Sequence, residues 1–207
     1  MSARLPAAGF VLVGGRSRRL GADKALLTLG GQSLVLRAAE RLRPVVGELV
    51  LVGSPQRYAH LGLPVLADRV VDRGPLAGIV AALAATGHDW NLVAACDLPF
   101  LETRFFEFLL QQAAEKPASD ALVPRVGGFW QPLAAAYHRR ALPAFERVLA
   151  SGTPKIDLAF PDLHVEALTD ELLDRVAFPE RMFKNINTRE DYEEALRELA
   201  RRGELGA

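Results

Sequence analysis

The stretch FVLVGGRSRRLGADKALLTLGG, Phe10 to Gly31, sets a four-residue apolar run against a loop carrying two adjacent glycines, three arginines and a lysine. A short run that is apolar at every position is what a strand covered on both faces looks like. The like charge that follows has two physical explanations. One is a polyanionic ligand, a nucleotide triphosphate above all; the other is a solvated turn whose charges keep it in water. Glycines at 14 and 15 let backbone N–H groups approach phosphate oxygens with no Cβ in the way. Lysine brings a compact charge to phosphates and arginine a planar fork of donors.

The loop is not a Walker A motif, because Gly21 is followed by Ala22, Asp23 and Lys24 instead of Lys-Ser/Thr. It is not G-x-G-x-x-G either, since Gly14 and Gly15 are adjacent and no third glycine falls in register. A dinucleotide oxidoreductase is disfavoured accordingly. What remains is G-G-x-S-x-R-x-G-x-D-K: Gly14, Gly15, Ser17, Arg19, Gly21, Asp23 and Lys24.

Outward from the loop, strand-length aliphatic runs alternate with segments of helical period. Phe10–Val13, Leu49–Val52, Pro64–Leu66, Leu92–Ala95, Ala121–Val123 and Leu133–Tyr137 read as strands. Ser33–Leu42, Pro75–Ala85, Thr103–Ala114 and Arg140–Ala150 read as helices, with Pro75 at a first helical position and Thr103 as an N-cap. Thr188 stands three residues before Asp191, an acidic variant of the capping box, ahead of a charged amphipathic helix. Asp162 to Pro179 is the least periodic region and reads as a flap or an edge hairpin. The order predicts an α/β fold, a three-layer, Rossmann-like sandwich with a mostly parallel sheet, in one domain over residues 1–207. In such sheets ligands gather at the carboxyl ends of strands. The Gly14 loop, Gly53-Ser54, Asp68 and Asp97 all fall there and point at one crevice.

Twenty-five basic residues balance 25 acidic ones, which argues against coating nucleic acid or an anionic membrane and makes the arginine cluster a local feature. The single cysteine, Cys96, excludes an internal disulfide and a cysteine zinc site. No apolar run approaches the roughly 18 to 20 residues that span a bilayer, and MSARLPAAG lacks the apolar core of a signal peptide. A cytoplasmic location is the expectation.

The glycine–arginine loop resembles the signature of the molybdenum cofactor guanylyltransferases, the MobA family of nucleotidyltransferases. The resemblance continues, in order, through GPLAG at Gly74–Gly78, CDLPFL at Cys96–Leu101, QPL at Gln131–Leu133 and NINT at Asn185–Thr188. It implies transfer of GMP from GTP to the terminal phosphate of molybdopterin with Mg²⁺, releasing pyrophosphate. It implies nucleotide contacts from Leu12, Val13, Gly14 and Gly15, phosphate contacts from Arg19 and Lys24, and a site completed by Asp68 and Asp97. Asp97 would carry the metal, Lys24, Arg19 and Asp97 the catalysis. Asn185 and Asn187 would orient the pterin or the metal's waters. Transient contact with molybdoenzymes or other cofactor-biosynthesis proteins is a further implication. Two positions depart from the family pattern: Val13 stands where alanine is usual, and Gly53 where an asparagine is common, on which a base or ribose contact rests.

The implied nucleophile is a phosphate oxygen, ionised near neutral pH because its second pKa is about 6. It needs charge neutralisation and in-line positioning rather than an activated side chain. The four histidines, His60, His88, His138 and His164, are scattered and lack ligand spacing. Other readings stand beside this one. Asp97 also suits a backbone-bonded Asp-Leu-Pro turn, Asp68 a plain turn, Asn185 and Asn187 a lead-in to the Thr188 cap, and Gly74–Gly78 close packing of a helix. At the level of function the rivals are a molybdopterin cytidylyltransferase, a sugar-phosphate nucleotidyltransferase, and a non-catalytic module that binds nucleotide and delivers cofactor. Gly14-Gly15 and GPLAG favour the guanine branch.

Overall fold

The computed structural model describes residues 6–14, 23–68 and 74–203. In chain order these form β1 (Ala7–Leu12), β2 (Thr28–Leu29), β3 (Gln32–Ser33), α1 (Leu34–Leu42), β4 (Glu48–Val52), α2 (Pro55–Tyr58), β5 (Val65–Leu66) and α3 (Gly74–Ala85). There follow β6 (Trp90–Ala95), α4 (Thr103–Glu115), β7 (Ala121–Val126), β8 (Phe129–Trp130), β9 (Ala134–His138), α5 (Leu142–Ala150), β10 (Val165–Thr169), α6 (Asp170–Arg175) and α7 (Arg189–Arg201).

The main sheet runs β10-β7-β9-β6-β1-β4-β5, with β8 paired to β7. Its central strands are buried along their whole length, β1 and β6 at every residue. That explains their unbroken apolar sequence: alternate side chains enter two different cores. Val11, Leu51, Leu92, Leu122 and Val126 face α1, α4 and α6. Phe10, Leu12, Val50, Val52, Val93 and Tyr137 face α3 and α5. Burying a branched aliphatic or aromatic side chain stabilises by about 1.5–3 kcal/mol, so a one-residue slip of either central strand would exchange two finished cores.

The chain proceeds from β1 to β4 and β5 on one side, then crosses to β6 on the other side of β1. The strand order therefore reverses between β1 and β6, where the carboxyl edge of an open sheet forms its ligand crevice. β9 is antiparallel to both β6 and β7. Its amino end, and the Gln131–Leu133 segment leading into it, thus join the carboxyl edge. The Ala95 N–H donates to the Leu133 carbonyl at 2.8 Å, two residues before Asp97.

Two local expectations need correction. The 162–179 region holds an edge strand, β10, parallel to β7, followed by α6, instead of a flap or edge hairpin. The N-cap of α4 is Glu102, and Thr103 is its first helical residue. The sheet is mostly parallel, as expected; β9 and the small β8 are its antiparallel strands, because a chain returning through a short hairpin from β7 can only pair antiparallel. The Thr188–Asp191 capping box is present with both of its bonds. Behind it, α7 packs Ala195 and Leu199 on Leu29, Leu34, Phe100 and Ile186. Among the described residues no helix is long and apolar enough to cross a membrane.

Candidate active site

At the reversal point the Lys24 ammonium lies 2.7 Å from Asp97 Oδ2 and 2.8 Å from Asn187 Oδ1. Three segments, far apart in sequence, meet at that nitrogen. Asp97 stands two residues beyond the end of β6, in a turn closed by Leu98 N–H on the Ala95 carbonyl at 3.3 Å. Lys24 opens a short 3-10 helix, Lys24–Leu26, whose buried Ala25 anchors it in the core with Val13 and Tyr58. Asn187 stands just before α7. Its N–H and that of Thr188 both donate to Asp191 Oδ2 at 2.9 Å. Ile186 N–H donates to the Asp97 carbonyl at 2.9 Å, so the strap 185–188 is bonded to the same residue whose side chain meets Lys24. Those N–H bonds, Asn187's foremost, hold the Asp191 carboxyl below its ordinary value.

The pair is screened: side-chain exposures are 16% for Lys24 and 19% for Asp97. Asp97 Oδ2 is occupied by the lysine, whereas Asp97 Oδ1 is buried and has no hydrogen-bond partner among the described residues. A buried carboxylate oxygen left unsatisfied is costly. Mg²⁺ commonly takes one or two carboxylates and completes its shell with water and phosphate oxygens. One orphaned oxygen beside the crevice fits that requirement, and no group of three or more His, Cys, Asp or Glu side chains suited to a metal occurs among the described residues.

Asp23 is braced from behind. Its carboxylate accepts from the Ala25 N–H at 3.1 Å and from the Tyr58 hydroxyl at 3.1 and 3.0 Å, with Arg57 at 3.7 Å. Burial first, then the bonded Asp23 carboxylate, push the Tyr58 phenol above its ordinary value, so the group stays a donor. Tyr58 is absent from the sequence-based site. Its only trace there is an aromatic residue beside a charged one after the Gly53 turn.

The other expected residues sort clearly. Gly14 ends the β1 segment in the open, where a Cβ would meet nothing within 4 Å among the described residues. Leu12 and Val13 are buried walls: Leu12 O accepts from Cys96 N–H at 3.3 Å, and Val13 N–H donates to Val52 O at 2.9 Å. Asp68 is half-buried, two residues beyond β5 at the same edge. Asn185 lines a cavity of about 60 Å³ with Phe100, Lys184 and Asp191, away from the Lys24 contact made by Asn187. Gly15 and Arg19 lie outside the described residues, as do Arg16, Ser17, Arg18 and Gly21. Gly78 packs closely, its would-be Cβ 3.2 Å from Leu12 Cδ2. His88 and His138 line a cleft of about 390 Å³ with Trp90 at the opposite edge of the sheet.

The two departures at 13 and 53 meet in space. A Cβ on Gly53 would lie 2.2 Å from the Val13 carbonyl oxygen and 2.7 Å from Val13 Cγ2. Glycine is required there by the close approach of backbone to backbone, and the branched Val13 fills the space beside it. Beside Asp97, burial and then the Asp97 charge push the Cys96 thiol up to about 12.

The MobA-like NTP transferase domain family matches residues 9–159. A probable molybdenum cofactor guanylyltransferase of Pelotomaculum thermopropionicum is 36% identical over 188 residues, covering 90% of both chains. A molybdenum cofactor guanylyltransferase of Pseudomonas putida is 33% identical over 191 residues, covering 87% of this chain and 97% of its own. Among solved structures, molybdopterin-guanine dinucleotide biosynthesis protein A from Archaeoglobus fulgidus superposes with a TM-score of 0.81 at 31% identity, over 94% of this chain and 99% of that one. A 4-diphosphocytidyl-2C-methyl-D-erythritol synthase from Anaerococcus prevotii, 13% identical with a TM-score of 0.71 over 95% and 96%, shares the fold. This chain belongs to the MobA-like NTP transferase family.

Proposed function

We propose that this protein transfers GMP from GTP to the terminal phosphate of molybdopterin, forming the guanine dinucleotide cofactor and releasing pyrophosphate. The observation that carries the reading is the Lys24 ammonium held between Asp97 and Asn187 at the strand-order reversal, in a chain of this family. In the reaction an oxygen of the acceptor phosphate bonds to the α-phosphorus of GTP while the α–β bridging bond breaks, its electron pair leaving on pyrophosphate. No base is required, because the acceptor oxygen is already ionised.

Two anions must meet, so the protein's work is positioning and charge compensation. Gly14 and Gly15 give the nucleotide close backbone approach, Lys24 and Arg19 meet its phosphates, and Asp68 accepts from guanine N–H groups or ribose hydroxyls. Asp97, whose buried Oδ1 has no hydrogen-bond partner among the described residues, would hold Mg²⁺, which would supply neutralisation of phosphate charge. Asn187 keeps Lys24 aimed into the crevice as the triphosphate arrives, and Asn185 serves the pterin side of the strap. The whole chain acts as one nucleotidyltransferase domain, working in the cytoplasm.

Pyrophosphate release with molybdopterin and each of GTP, CTP, ATP and UTP tests this. GTP is expected to give the fastest turnover and the largest melting shift, since a ligand at a hundredfold excess over Kd adds about 2.7 kcal/mol. A larger response to CTP would assign the cytidylyl branch. Binding without any pyrophosphate release would assign a delivery module.

A further inference from the structure

Phe129 is 76% exposed at the tip of the β7–β8 hairpin, far more than any other large hydrophobic residue described. An exposed phenylalanine on a mobile tip would need no explanation. This tip is fastened on both sides. Gly127 and Gly128 make the two-residue turn with φ of +56° and +83°, the left-handed pair that a tight hairpin demands. The Gly127 N–H donates to both Asp170 oxygens, at 3.2 and 3.1 Å. Arg125 Nε donates to the Gly128 carbonyl at 3.2 Å, and its guanidinium lies 5.5 Å from the Trp130 ring centroid. Trp130 in turn packs edge-on against Phe160 at 5.1 Å.

The hairpin also faces the right way. β7 is parallel to β6, since both are antiparallel to β9, so its carboxyl end lies at the Asp97 edge. Trp130 turns to the α3/α5 face. Phe129, its neighbour, takes the opposite side, opposite Val126, which belongs to the same core as Ala25, Cys96 and Leu98. Leu133, which is bonded to Ala95, lies four positions beyond Phe129. That bounds the distance between the two at about 14 Å, comparable to the span of a pterin ring system with its phosphate arm.

We infer that Phe129 is the stacking platform for the flat pterin ring of the acceptor, placing the acceptor's phosphate toward Asp97 and Lys24. A pre-fixed aromatic face binds a planar heterocycle without ordering a loop first. The assignment rests on the transfer reading above, and makes Phe129 a substrate-binding residue with no part in GTP binding.

The experiment compares wild type, Phe129→Ala, Phe129→Leu and Phe129→Trp in steady-state transfer with molybdopterin at saturating GTP and Mg²⁺. GTP titration and melting curves are run alongside. Phe129→Ala and Phe129→Leu are expected to raise KM for molybdopterin about tenfold, the loss typical of one stacking partner. GTP affinity and melting temperature stay at wild-type values, and Phe129→Trp restores KM. An unchanged KM in Phe129→Ala overturns the platform while leaving the transfer reading intact. Full recovery by leucine overturns stacking in favour of simple apolar contact. No pyrophosphate release in the wild type removes the transfer reading and the platform with it.

Discussion

The Tyr58 hydroxyl reaches both carboxylate oxygens of Asp23, at 3.1 and 3.0 Å, and Asp23 in turn caps the short helix that Lys24 begins. A buried phenol thus fixes a loop lysine through one intervening carboxylate. Removing only the hydroxyl isolates that arrangement. Tyr58→Phe is expected to weaken GTP binding about tenfold, because a hydrogen bond to a charged group contributes about 1.5–3 kcal/mol. Calorimetric titration measures it. In a Lys24→Ala background the same substitution should change GTP affinity little, since the residue acts through Lys24.

Asp97→Asn keeps the shape of the side chain and removes its charge. Transfer is expected to fall a hundredfold or more, since metal-assisted charge stabilisation supplies several kcal/mol of barrier reduction. Stability should hardly move, because the asparagine oxygen can still accept from the Lys24 ammonium, which also keeps its bond to Asn187. Single-turnover pyrophosphate release beside a melting curve is the measurement. A fast, Mg²⁺-dependent variant would put the metal on another residue.

Gly53→Ala tests the close approach to Val13. A Cβ 2.2 Å from a backbone oxygen forces the strands apart at the crevice edge. The expected loss is about 1–3 kcal/mol in chemical denaturation. Val13→Ala should not rescue it, because the nearest obstacle is the carbonyl and not the side chain.

The Asp191 carboxyl titrates below its ordinary 3.8 in the folded chain. Its contribution is therefore complete above 3.8 and disappears as pH falls through the lower folded value. Asp191→Ala should cost about 1 kcal/mol at neutral pH, the usual worth of a cap. Wild-type and variant stabilities should converge below pH 3.8. GTP affinity of the variant should also drop, as Asn187 loses the bond that sets it against Lys24.

The architecture was readable where apolar runs and caps are local signals: the β1 and β6 runs and the Thr188–Asp191 box are as expected. Strand direction was not, because β9 is as apolar as its parallel neighbours and composition carries no sign of orientation. Lys24 and Asp97 were singled out by residue type and position, and the structure brings their side chains together. The bond from Lys24 to Asn187, 163 residues away, and the Tyr58 brace depend on chain crossings that no local pattern encodes. The β2–β3 hairpin was hidden because two-residue strands are too short to show a period.

Cys96 is the only thiol in the chain, buried at the seam between β1 and Asp97 with its N–H bonded to Leu12 O. With its thiol pushed up to about 12, the native group holds almost no thiolate at neutral pH. Reaction with a disulfide reagent must wait for that seam to part. The rate of labelling, with and without GTP, is consequently an internal clock for breathing of the crevice, read on the unaltered protein without a probe.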